Sequence, residues 1–136
     1  VIKINNDLER IADETVNIAQ RIQTMAKDKS ASIAFDYDPM TTEVENMLKL
    51  SLDALVNMDV DTAFKVVTMD DGVDGIHRQV YQLIRNEMAH HPDQMAFLIN
   101  FYLISRHLER IGDHATNIAE EVIYLIEGEI VRHADY

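Results

Sequence analysis

The sequence predicts an all-α protein, an up-and-down antiparallel helical bundle. The 136 residues include only 4 Gly and 2 Pro, which leaves little material for the tight turns of a β-rich fold. Apolar residues recur at alternating intervals of four and three near both ends of the chain, from Ile4 to Met25 and from Phe101 to Leu125. This spacing places them along one seam of a helix, as in bundle packing.

The same periodicity, with start and stop signals, predicts four helices. The first lies near residues 1–28, and the second spans 41–58 with Thr41 as its candidate cap. Asp59 can cap the third, which runs over 60–90, and the last begins after Pro92 and stops at Gly128. Residues 30–40 are the one candidate linker. Long helices joined by short loops favour antiparallel neighbours.

Composition excludes several classes of function. The formal net charge of −12 disfavours general binding to nucleic acid or to an anionic membrane surface. No apolar run approaches the roughly 18–20 residues that span a bilayer. The absence of cysteine excludes disulfides, thiolate zinc sites, iron–sulfur clusters and cysteine catalysis, and it fits a reducing cytoplasm.

An internal repeat divides the chain. Residues 7–20 align with residues 107–120 at a constant offset of 100, and eight of these fourteen positions are identical. The shared Glu-Arg, Asp and Asn are polar, so packing does not explain them. We therefore predict that 1–29 is the closing helix of an incomplete first repeat, 30–40 a linker, and 41–136 a complete second three-helix repeat.

Acidic residues spaced by four are the candidate metal ligands, because residues at this spacing are neighbours on one helix face. The pairs are Glu9 and Asp13, Asp70 and Asp74, and Glu109 and Asp113. If the third helix packs beside the last, four carboxylates converge from two helices. Such a cluster suits hard or borderline cations such as Mg, Ca, Mn and iron.

A solvated helix face is the alternative explanation for these acids. Arg106 and Arg110 each precede an acidic residue by three positions and can form local ion pairs with Glu109 and Asp113. His77 is a possible additional ligand, whereas His107, His114 and the remaining histidines are expected at surfaces or interfaces. Gly112 stands in mid-helix and can permit close helix approach beside the acids.

The repeated motif resembles the closing helix of the PhoU family, regulators of phosphate uptake. The resemblance is closest over 108–124 and 127–133, weaker over 7–20, and continues in the paired acids of the segment that ends at Asp74. It implies tandem three-helix bundles whose E(D)-x-x-x-D motifs bind metal ions, among them iron, zinc, manganese or magnesium. By this resemblance all three acidic pairs are metal ligands, with Asn17 and Asn117 as auxiliary ligands. The helix that would supply acidic partners to Glu9 and Asp13 is not in this sequence.

The resemblance also implies a function. PhoU proteins are non-enzymatic, cytoplasmic and usually homodimeric, and they negatively regulate the phosphate ABC transporter, binding its ATPase and a sensor histidine kinase without inserting into the membrane. Two alternatives stay open. One is a carboxylate-bridged di-metal enzyme, which needs Glu-x-x-His pairs that are missing from the helix faces bearing the three acidic pairs. The other is a PhoU-like domain of a membrane phosphate transporter.

Overall fold

A computed structural model describes residues 2–28 and 31–132, with side chains up to residue 128. The described residues form four α-helices: α1 (Ile2–Ala26), α2 (Asp38–Asn57), α3 (Val60–His90) and α4 (Met95–Arg132). One turn of 3-10 helix, Pro92–Gln94, joins α3 to α4. His133 lies outside the described residues.

Helix α4 is the centre of the bundle, and α1, α2 and α3 each pack along it. Contacts of α4 with α3 run in opposite chain directions, since His77 meets Ser105 and Tyr81 meets Tyr102. Among the described residues, α1 packs on α4 alone, whereas α2 packs on both α3 and α4. The predicted all-α antiparallel bundle is confirmed.

Most predicted helix boundaries agree with the structure, and two do not. Asp59 caps α3 as predicted, accepting a hydrogen bond from the backbone N of Thr62 at 3.2 Å. Helix α4 does not stop at Gly128 but continues to Arg132, and Gly128 does not have the positive φ with which a glycine ends a helix. Helix α2 begins at Asp38 rather than Thr41, with Pro39 in its first turn, where proline is well tolerated.

The predicted linker is packed against the bundle. Tyr37 Oη donates a hydrogen bond to the backbone O of Phe101 at 2.6 Å. The ring of Phe35 lies 5.0 Å from that of Tyr37 and 6.0 Å from that of Phe101, both edge to face. Such aromatic pairs add to the free energy of burying the rings. The connection from α1 to α2 is therefore tied to α4.

Gly112 lies where α4 passes α2 and α3, but its lack of a side chain is not required for this packing. A Cβ atom at this position would lie 3.7 Å from Met47 Sδ and from Val73 Cγ1, which is ordinary van der Waals contact. The other copy of the repeat has Ala12 at the equivalent position. The close approach of the helices at this position is therefore compatible with alanine as well as with glycine.

The Gly112→Ala variant is expected to raise the free energy of unfolding by about 0.8–1 kcal/mol, the difference in helix propensity between the two residues. Urea unfolding followed by circular dichroism measures it. Gly72→Ala, in open space on α3, is the matched control and should gain a similar amount. A loss of stability in Gly112→Ala alone would contradict this account of the packing.

Candidate metal centre

Three aspartates meet between α3 and α4. Asp70 and Asp74 stand one turn apart on α3, and Asp113 lies opposite them on the antiparallel α4. One carboxylate oxygen of each lies within 4.8 Å of the others. We call these three residues the acid cluster. Three of the four acids predicted to converge from the third and last helices therefore meet in the structure.

The spacing of the acid cluster suits a cation. Oxygen ligands stand about 2.0–2.6 Å from Mg²⁺ or Ca²⁺, so two ligands on opposite sides of one ion are about 4–5 Å apart. In addition, Asp70 Oδ1 is buried and has no hydrogen-bond partner. A buried acceptor without a partner costs free energy, and a bound cation would remove that cost.

The electrostatics point in the same direction. Burial, followed by the charges of Asp70, Glu109 and Asp74, raises the pKa of Asp113 to about 6. Burial is also the main cause of the raised pKa values of Asp70 and Asp74, with neighbouring carboxylates adding to it. These carboxylates repel one another, and a cation among them would stabilise their ionised forms.

Glu109 borders the acid cluster but is partly engaged elsewhere. Its Oε1 forms a hydrogen-bonded ion pair with Arg106, one of the local pairs anticipated from the sequence. The other anticipated pair is not formed, because Arg110 Nη1 lies 3.6 Å from Glu14 Oε1 on α1. Asp113 therefore does not receive the expected compensation from Arg110.

His77 lies beside Glu109 with its ring held by α4. Ser105 Oγ donates to the backbone O of Tyr102 at 2.9 Å, so it accepts from His77 Nδ1 at 2.7 Å. In the neutral imidazole the proton is then on Nδ1, and Nε2 is left as an acceptor. This Nε2 lies 3.9 Å from Glu109 Oε2 at the edge of the acid cluster.

Glu9 and Asp13 lie elsewhere. Both are exposed on α1, and no carboxylate of another described helix joins them. Among the described residues the acids of α1 do not form a second cluster, and metal binding by Glu9 and Asp13 stays a prediction. Asn117, expected as an auxiliary ligand, donates from Nδ2 to Asp7 Oδ1 at 3.4 Å.

Sequence reasoning missed a polar ladder between α1 and α4. His107 Nδ1 donates to Glu14 Oε2 at 2.6 Å, and His114 Nδ1 donates to Asp7 Oδ1 at 2.9 Å. Asp7, Glu14 and His107 are buried. The available signal was the shared spacing of seven, since Asp7 and Glu14 match His114 and His107 only when the helices are antiparallel.

The acid cluster differs from the centres of di-metal bundle enzymes. Those centres lie in the bundle core and use Glu-x-x-His pairs. Here the acids are partly exposed between two helices, and α3 carries Asp74 three residues before His77 instead. Fold and site together define a class: all-helical proteins whose three-helix unit carries carboxylates on its surface.

Comparisons with known proteins identify the family within this class. The family profile described as PhoU domain matches residues 38–122. The chain belongs to the PhoU family. It is 37% identical to the phosphate-specific transport system accessory protein PhoU homolog of Clostridium acetobutylicum, over 96% of this chain and 59% of that protein. The corresponding homolog of Pseudomonas aeruginosa is 38% identical, over 93% of this chain and 53% of its own.

The fold is also found in a solved relative. The crystal structure of PhoU from Pseudomonas aeruginosa matches with a TM-score of 0.85 and 36% identity, over 93% of this chain and 61% of that one. The chain thus spans between half and two thirds of the length of these relatives. None of the described helices is both long enough and apolar enough to cross a membrane.

Proposed function

We propose that this chain is the cation-binding part of a phosphate-transport accessory protein that acts by regulation rather than catalysis. Its membership of the PhoU family, and its similarity to proteins named phosphate-specific transport system accessory proteins, support a role beside a phosphate transporter. In this role the protein restrains the phosphate ABC transporter and contacts the transporter ATPase and a sensor histidine kinase. Residues 41–136 act as one complete repeat, and residues 1–29 are the closing helix of a preceding repeat. The protein functions as a homodimer.

The observation that carries the proposal is the meeting of Asp70, Asp74 and Asp113 within 4.8 Å. These residues would hold a divalent or trivalent cation, with Glu109 beside them. His77, whose Nδ1 bonds to Ser105 and whose Nε2 lies 3.9 Å from Glu109 Oε2, would be a further ligand. Oxygen donors favour Mg²⁺, Mn²⁺ and iron, and the imidazole extends the range to Zn²⁺.

A bound cation would hold α3 and α4 together at one point, because the ligands come from both helices. The regulatory surface would then be a face of the bundle whose shape depends on the cation. The ion supplies charge and fixed geometry, while the chain supplies the partner-binding surface. We propose that the transporter and the kinase recognise this surface, and that the protein regulates them by binding and not by catalysing a reaction.

Cation binding is tested by titrating Mn²⁺ into the metal-free chain by calorimetry. Asp74→Asn is expected to weaken Mn²⁺ binding at least tenfold, because it removes a charged ligand from the acid cluster. Asp53→Asn, an exposed aspartate on α2, makes the same change of charge away from the cluster and should alter binding less than twofold. Equal loss in both variants would show that only the overall charge matters.

The same pair of variants tests regulation. In the complete protein, placed in a bacterial strain without its own PhoU, Asp74→Asn should release a phosphate-starvation reporter from repression, whereas Asp53→Asn should retain repression. Full repression by an Asp74→Asn protein that no longer binds Mn²⁺ would separate the cation from the regulatory role and refute the proposal.

A further inference from the structure

A second charged site, which contains arginines, lies between α1 and α4. Three arginines line a cleft of about 300 Å³ together with Glu14, Asp113 and His114; they are Arg10, Arg106 and Arg110. The chain has 12 Lys and Arg against 24 Asp and Glu, so a gathering of three guanidinium groups is unexpected on this surface. We call this cavity the arginine cleft.

The arginines are only partly neutralised by their neighbours. Arg106 is paired with Glu109, and Arg110 lies 3.6 Å from Glu14, whose other oxygen accepts from His107. Arg10 is exposed and forms no ion pair with any described residue. A guanidinium has five N–H donors, so each of the three retains donors for a ligand in the cleft.

We propose that the arginine cleft binds a phosphoryl dianion, either inorganic phosphate or the phosphate group of a monoester. The planar fork of a guanidinium matches two oxygens of a tetrahedral phosphate, and such charge-assisted pairs are about twice as strong as neutral ones. The lining holds three guanidinium groups and two carboxylates, and Glu109 pairs with Arg106 beside it. Arg10 is therefore the arginine of the cleft with the most donors left for a ligand. His114 is occupied by its hydrogen bond to Asp7, so the arginines are the principal donors.

The arginine cleft shares Asp113 with the acid cluster. An ionised Asp113 repels a phosphoryl group, and a cation bound by the cluster would neutralise that repulsion. Phosphate and cation would then each strengthen the binding of the other, as thermodynamic linkage requires. This coupling rests on the proposed cation site, whereas binding by the arginines does not.

Equilibrium dialysis of the chain against radiolabelled inorganic phosphate, with a chelator present, tests the arginines alone. We expect saturable binding of one phosphate per chain, weakened about tenfold in Arg10→Gln by loss of a charged hydrogen-bonding partner. Arg10→Lys keeps the positive charge but not the planar arrangement of N–H donors, so its affinity for phosphate should lie between those of the parent and of Arg10→Gln. Arg85→Gln is the matched control, because it removes an exposed arginine of α3 away from the cleft, and it should bind within twofold of the parent.

Absence of saturable phosphate binding, or equal weakening by Arg10→Gln and Arg85→Gln, overturns the proposal. Phenyl phosphate, used in place of phosphate, distinguishes the two sources. Tighter binding of the ester supports a phosphorylated partner group, and tighter binding of phosphate supports the free ion.

A final series with Mn²⁺ in place of the chelator tests the coupling. We expect Mn²⁺ to tighten phosphate binding severalfold in the parent and to have no such effect in Asp74→Asn. If Mn²⁺ does not bind at all, the cation proposal fails while the result with chelator still decides the arginine cleft. If Mn²⁺ binds without tightening phosphate, the coupling is refuted.

Discussion

Replacing Glu14 with alanine is expected to lower the free energy of unfolding by about 2–3 kcal/mol, since it removes the buried carboxylate that accepts a hydrogen bond from His107 and leaves that donor unsatisfied. The exposed fraction of Glu14 is 9% and that of His107 is 7%, and their hydrogen bond of 2.6 Å joins α1 to α4. His107 Nε2 already lacks a partner. Without Glu14 neither ring nitrogen would be satisfied.

Chemical denaturation at pH 7 measures this effect. Glu9→Ala, an exposed substitution on the same helix, should change the free energy of unfolding by less than about 0.5 kcal/mol. The double variant Glu14→Leu with His107→Leu should recover most of the lost stability, because an apolar pair needs no hydrogen bond. If Glu14→Ala were no more harmful than Glu9→Ala, the ladder would not hold α1 in place.

Cation binding should stabilise the parent by about 2.7 kcal/mol when free Mn²⁺ is at a hundred times its Kd, and Asp113→Asn should abolish that gain. Asp113 is the ligand that α4 contributes to the acid cluster. In Asp113→Asn the α3 aspartates would face a neutral amide, and the cation would lose the charged ligand that joins the two helices. Thermal unfolding with and without Mn²⁺ measures the difference.

Without metal, the same substitution should act in the opposite direction. The pKa of Asp113 rises from 3.8 to about 6 on folding, mainly through burial, so the folded state binds its proton more tightly than the unfolded state. The resulting stability is complete below about pH 4 and is lost as the pH rises through 6. Solvent screening of this partly exposed group reduces the effect to about 1 kcal/mol.

Asp113→Asn should therefore be slightly more stable than the parent at pH 7 in chelator, and the difference should vanish near pH 4. The Asp53→Asn control should follow the parent at both pH values. A parent whose stability increases between pH 4 and pH 7 relative to Asp113→Asn would contradict the raised pKa.

The helices could be predicted because their apolar spacing is long and regular. Ile104, Leu108, Ile111 and Ile118 all lie in the core, as their spacing of four and three indicates. The acid cluster could also be anticipated, since a spacing of four on two antiparallel helices leaves few other arrangements for Asp70, Asp74 and Asp113. Both inferences depend on periodicity within a helix.

Features that depend on contacts between helices could not be predicted in this way. The partners of His107 and Arg110 are on α1, about a hundred residues away along the chain. The shared spacing of seven indicates the partner of His107 only once α1 and α4 are known to be antiparallel neighbours. The end of α4 was also predicted wrongly. Gly128 does not have a positive φ, and the sequence alone does not show whether a glycine adopts the conformation that ends a helix. Likewise, the packing of the 31–37 segment depends on Phe101, which reads locally as an ordinary core residue.

The attachment of α1 to one neighbour has a consequence for the dynamics of the chain. Helices α2, α3 and α4 each contact at least two others, whereas the described part of α1 is held through a single interface. We expect separation of that interface to open the chain locally, since it exposes one apolar stripe and leaves the other three helices folded. The same motion would carry Arg10 away from Arg106 and Arg110. An anion bound by arginines of both helices would therefore slow the opening.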